Sequence, residues 1–101
     1  MNSFKKDKIK RVEIDDLGRL HLKPEKQKFN LIYRLSQEIH WDDKYGTLYS
    51  PKPRDWSYLD WYKQIIEVIF ADCNTELSLT NTTEWINIPS SLKNEILDFK
   101  L

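Results

Sequence analysis

Glycine and cysteine are scarce in this chain of 101 residues, which has two of the first and one of the second. A lone Cys73 excludes an internal disulfide and any zinc site built on cysteines. Its place after an apolar helical run predicts a buried, inert thiol. Two glycines leave little room for a phosphate-cradling loop. The Gly-x-Ser-x-Gly elbow and the His-Glu-x-x-His motif are also absent. The expectation is therefore a non-enzymatic protein with no cofactor and no metal. No stretch approaches the ~20 apolar residues of a membrane-spanning helix. The opening residues Met1 to Lys8 are charged with no apolar segment behind them, unlike a signal peptide. A cytoplasmic protein without a membrane partner is the default expectation. With only four prolines there is no sign of a low-complexity linker, and the length suits one domain over residues 1–101.

Large rings are plentiful: four Trp, five Tyr and four Phe. Each buries on the order of 150–250 Å² and lets a short chain close a core. The net charge is zero but divided. Residues 1–34 hold ten Lys and Arg against five Asp and Glu, a balance of +5, and the remainder holds six against eleven, a balance of −5. Opposite halves can attract within one fold or between two copies, although a merely mixed surface is the plainer reading.

The longest apolar element is a helix over about 55–71. Leu59, Tyr62, Ile66, Ile69 and Phe70 share one face, widened by Tyr58, Trp61, Ile65 and Val68. Asp55 or Ser57 caps its start, Ser57 with Asp60 three residues on. Asn74 suits the left-handed residue at its end. Ahead of it, residues 1–8 read as a flexible basic arm. Residues 9–14 and 19–23 form a hairpin turned at Gly18, which Pro24 ends. Phe29, Ile32, Tyr33, Ser36 and Ile39 are spaced for a helix over 25–38. A second hairpin spans His40 to Ser50, with Asp43 to Gly46 as its turn. After the long helix, residues 75–80 and 84–88 alternate as a third hairpin. A last helix follows Pro89, capped by Ser90 or Ser91. The order ββα, ββα, ββα predicts an α+β fold: an antiparallel sheet of about six short strands with three helices on one face.

Four groups are candidate sites. The ring- and proline-rich passage from Trp41 to Tyr62 holds more aromatics than one hairpin and one helix can turn inward. Exposed Trp and Tyr beside Arg are typical of a binding hot spot, and Trp41, Tyr45, Arg54, Trp56 and Tyr58 are the expected contacts. The alternative is that these rings form core and lid. His40 and Asp42 would face the same way on a strand, which suits a metal or an acid–base pair, but no third ligand is marked. The basic start, Lys5, Lys6, Lys8, Lys10 and Arg11, could touch phosphates, yet a neutral chain argues against a dedicated nucleic-acid binder. Asp42, Asp43, Asp55, Asp60, Glu67 and Asp72 could make an acidic patch for a basic partner, or serve solubility alone. The leading expectation is a small cytoplasmic protein-interaction domain of the immunity or accessory type, its partner an unidentified protein, with self-association as a homodimer a special case. The alternative is a small-ligand or carbohydrate binder, or a minor enzyme, using an aromatic pocket near His40 and Asp42.

Overall fold

The computed structural model describes residues 5–36 and 38–99. Among these residues six strands and two α-helices make an α+β fold: β1 (Lys5–Ile14), β2 (Leu20–Pro24), β3 (His40–Asp42), β4 (Thr47–Tyr49), α1 (Tyr58–Cys73), β5 (Thr75–Ser78), β6 (Glu84–Ile86) and α2 (Ser90–Asp98).

β1 is the axis of the sheet. The strand order is β3-β4-β2-β1-β5, and β6 also pairs with β1. β1–β2, β2–β4 and β3–β4 run antiparallel, so the first two hairpins form as expected. The third does not. β5 and β6 both lie parallel to β1, β5 beside Lys5–Lys8 and β6 beside Arg11–Glu13. The sheet is therefore mixed, which corrects the expected antiparallel one. The two strands follow one another along the same edge of β1, and the turn between them is tied to that strand. The Thr83 hydroxyl accepts from the Thr80 N–H at 2.9 Å and donates to the Ile9 carbonyl at 2.7 Å. The tie falls where β1 bulges, because pairing to β2 slips between Ile9 and Arg11. One extra residue reverses the in–out alternation, so Ile9 and Val12, three apart, are both buried in the core.

The expected basic arm is shorter than 1–8 at the least. Residues 1–4 lie outside the described residues, and residues 5–8 are the first part of β1. Asp7 is 5% exposed there. Its carboxylate accepts from the Gln27 N–H at 2.7 Å, the Lys26 N–H at 3.0 Å and the Lys8 N–H at 2.9 Å. The Glu25 N–H meanwhile bonds to the Lys8 carbonyl. These contacts account for the missing helix over 25–38. They hold the chain after Pro24 against β1, so its amides face a carboxylate instead of opening a helix. Only a 3-10 turn, Ile32–Arg34, remains of it. Phe29, Ile32 and Ile39 still reach the core, but Tyr33 does not.

The long helix starts later than 55 and ends later than 71. Ser57 is its N-cap, with Ser57 Oγ accepting from the Asp60 N–H and Asp60 returning a bond to the Ser57 N–H. Asn74, at φ 53°, is the left-handed C-cap. Trp61, Tyr62, Ile65, Ile66 and Ile69 are buried in one cluster with Ile9, Val12, Leu20, Leu22 and Leu48 of the sheet. α1 packs on β5 and β2, and α2 packs on α1 through Leu92 and Ile96. At α2, neither Ser90 nor Ser91 caps. The N-cap position is Pro89, with no side-chain cap bond.

Two substitutions test this account. Ile69→Ala removes a fully buried side chain from the middle of the core and should cost about 2–5 kcal/mol. Asp7→Ala strips the acceptor from three backbone amides and should cost about 1–3 kcal/mol. Urea titration should show both as a lower midpoint at unchanged slope. An Asp7→Ala protein as stable as the parent would refute the anchoring role of this carboxylate.

Candidate functional site

Two concave regions flank the second hairpin, one on either side of Tyr49. Alternation sends Leu22, Leu48 and Trp41 to the core face, and Glu13, His21, Tyr49 and His40 to the other face, in a row across four strands. Tyr49 stacks between the two imidazoles, with ring centroids 5.1 Å from both His21 and His40. The Arg19 guanidinium lies 4.9 Å from the centre of the same ring.

The larger region is a cleft of about 940 Å³ lined by Glu38 and His40, the Pro51–Trp56 segment and Trp61. It lies at the N-terminal end of α1. Two prolines and the capping box fix the chain that enters the helix, which limits the freedom of the residues presented there. Trp56 is 44% exposed, and its ring centroid is 4.9 Å from that of the buried Trp61. Lys52 and Arg54 supply cations, Glu38 and Asp55 carboxylates.

The smaller region, about 450 Å³, is lined by Arg11, Glu13, Arg19, Asp42, Tyr45 and Thr47, among others. Its wall is a hydrogen-bonded chain. Asp15 accepts from the Leu17 and Arg19 amides at 2.9 Å each, and from Arg19 Nε and His21 Nε2 at 2.7 Å each. Burial by itself would raise the Asp15 carboxyl, but these donors outweigh it and hold the group well below the usual carboxylate range. Because ionised Asp15 can only accept, His21 Nε2 carries a hydrogen. In the neutral ring Nδ1 then accepts from the Thr47 hydroxyl, 2.8 Å away. The chain links the β1–β2 turn to β2 and β4. Both His21 and Thr47 are buried, so the relay is a latch between strands. Gly18 completes the turn at φ 80°, and its carbonyl accepts from the Tyr58 hydroxyl at 2.9 Å.

The five expected contact residues are thus dispersed. Arg54 and Trp56 meet in the cleft, with His40 beside them. Tyr45 is exposed at the smaller cavity. Trp41 is half-buried, edge-on to Phe29, and its indole N–H donates to Asp43. Tyr58 is half-buried and ties α1 to Gly18. His40 and Asp42 do not form a pair. His40 lines the cleft, while Asp42 lines the other cavity and accepts from the turn amides of Lys44 and Tyr45. Cys73 is half-buried, and burial together with the neighbouring Asp72 raises its thiol pKa. Among the described residues no group of three or more His, Cys, Asp or Glu is placed to hold a metal ion. No described helix is long and apolar enough to cross a membrane.

The family described as Integron Cassette Protein Hfx_Cass5 matches residues 7–83 of this chain. The chain belongs to that family. The matched span of Hfx_Cass5 begins at the anchoring carboxylate of Asp7 and ends at Thr83, and it encloses both concave regions and all of α1. A solved structure, "Structure from the mobile metagenome of North West Arm Sewage Outfall: Integron Cassette Protein Hfx_Cass5", is 35% identical to this chain. It covers 93% of this chain and 94% of its own, with a TM-score of 0.50. No curated protein matches this chain.

The Asp15 latch carries a pH dependence of definite sign. A folded-state pKa below the unfolded value contributes stability above the unfolded carboxyl range, and that contribution is lost as pH falls toward the folded value. Asp15→Asn should therefore be less stable than the parent at pH ~7, and the gap should narrow below pH ~4. Urea midpoints of the two proteins across that range measure it, and a gap that does not depend on pH would contradict the assignment.

Proposed function

We propose that this chain is a non-enzymatic, cytoplasmic protein-interaction domain of the immunity or accessory type. Its partner docks in the cleft at the start of α1. Trp56 supplies the anchor, Arg54 the polar link and His40 the far wall. The supporting observation is the 44% exposure of Trp56 against a buried Trp61. A large ring held in a fixed position by a second ring loses little freedom when a partner covers it, and Trp and Arg are the residues that most often dominate such contacts. Trp41, Tyr45 and Tyr58 lie outside the lining of this cleft, so Trp56 and Arg54 carry the contact. Self-association through the same cleft is the special case in which the partner is a second copy.

A second reading has its own observation. A cleft of about 940 Å³ with two indoles and His40 is also large enough for a small ligand or a sugar, which rings bind by stacking.

One comparison separates the two. The parent protein, a Trp56→Ala/Arg54→Ala variant and a control at the exposed Leu97 of α2, Leu97→Ala, are immobilised and exposed to lysate of the native host, and bound proteins are quantified by mass spectrometry. The interaction reading expects a protein retained by parent and control and reduced at least about tenfold by the double variant, a change of about 1.4 kcal/mol. Equal retention by all three proteins would overturn it. Tryptophan fluorescence quenched by an oligosaccharide panel in the parent alone would establish the ligand reading.

A further inference from the structure

Leu31, Tyr33 and Leu35 are 50%, 60% and 50% exposed, three large apolar side chains in solvent within five residues. Their neighbour Ile32 is buried and pins the 3-10 turn that presents them. Beside this ridge runs a groove of about 260 Å³ that includes Lys5, Lys28, Phe29, Leu31, Leu35 and Cys73 in its lining, and none of the described residues lining it carries a carboxylate. The Arg34 guanidinium stands 5.9 Å from the Tyr33 ring centre and adds a third cation. An apolar floor with a cationic rim is thus built from a segment whose spacing had suggested a buried helix.

The groove reaches Cys73 at the C-terminal end of α1, whereas the Trp56 cleft includes Trp61 near its start. Twelve residues of helix separate the two by about 18 Å. The groove and the cleft share no lining residue, so the groove is a separate surface and its occupancy does not depend on the reading given for the cleft.

We propose that the Leu31–Leu35 ridge and the adjoining groove dock an acidic, amphipathic segment of a partner protein. Apolar side chains of the segment cover the leucines and Tyr33, and its carboxylates meet Lys5, Lys28 and Arg34. Both halves of this assignment rest on complementarity. Large apolar side chains left in solvent beside a groove mark an interaction site on a small protein. A positive rim at Lys5 and Lys28 steers anionic partners toward it and disfavours basic ones. Two of the three exposed side chains are leucines, which offer no flat face to a base, so a protein segment fits better than a nucleic acid strand. The mode is that of an amphipathic helix laid in a groove.

The test uses fluorescence anisotropy with a labelled synthetic helical peptide that has leucines on one face and glutamates on the other. A matched peptide with lysine at every glutamate position and a labelled oligothymidine serve as comparisons. The parent should bind the acidic peptide in preference to both, and more weakly as salt is raised. Leu31→Ser/Tyr33→Ser/Leu35→Ser should weaken it about tenfold or more, and so should Lys5→Glu/Lys28→Glu. Trp56→Ala/Arg54→Ala should leave it unchanged. The substituted side chains of both ridge variants are exposed, and unaltered circular dichroism confirms that each still folds. The proposal is overturned if the lysine peptide binds equally well, if the oligothymidine binds best, or if neither ridge variant loses affinity. It is also overturned if light scattering shows a parent dimer that the triple variant makes monomeric, since a second copy would then be the occupant.

Discussion

A single strand with both edges occupied governs this molecule. β1 bonds to β2 on one side and to β5 and β6 on the other, so no other described strand has as many partners. Its ten residues must satisfy two different neighbours along one edge and a hairpin along the other. The bulge after Ile9 reconciles these demands. It restores the inward direction for Val12 after Asp7 and Ile9 have used the opposite parity, and it coincides with the point where Thr83 brings the second neighbour in. The change of parity lets both Ile9 and Val12 join Leu20, Leu22 and Leu48 in the core that α1 covers.

Asp7 shows how a polar group can organise such a strand. A buried carboxylate is costly unless its oxygens are hydrogen-bonded. Here they receive amides from the chain that has just left β2. The same bonds that satisfy the charge hold the amides of Lys26 and Gln27 against β1, where a helix over 25–38 would have begun.

Elements whose signals are local were legible in the residues. Ser57 with Asp60, Asn74 at the helix end, and the turns at Gly18 and Gly46 all act within a few positions, and the structure has each of them. What depended on distant partners was not legible. Alternation in Thr75–Thr80 announces a strand but not whether its neighbour is residue 84 or residue 5. The spacing of Phe29, Ile32 and Tyr33 suits a helix until a carboxylate some twenty residues earlier captures the amides that would start it. At the cleft, the aromatic passage drew attention to Arg54 and Trp56, but nothing in it distinguished them from Trp41 and Tyr58, whose polar atoms bond to other groups of the chain. The Asp15–His21–Thr47 latch went unread, although Leu20-His21-Leu22 did carry a signal. With both leucines inward, the histidine must face the same side as Arg19.

The tie between Thr83 and Ile9 joins positions 74 residues apart. As this polypeptide leaves the ribosome, β1 emerges first, and along one edge it stays bare until β5 and β6 are synthesised. Contacts this remote slow folding, and an uncovered strand edge in the meantime invites association with other nascent chains. The lysines of β1 alternate along that waiting edge, at Lys6, Lys8 and Lys10, and mutual repulsion between such copies would keep them apart until the late strands arrive.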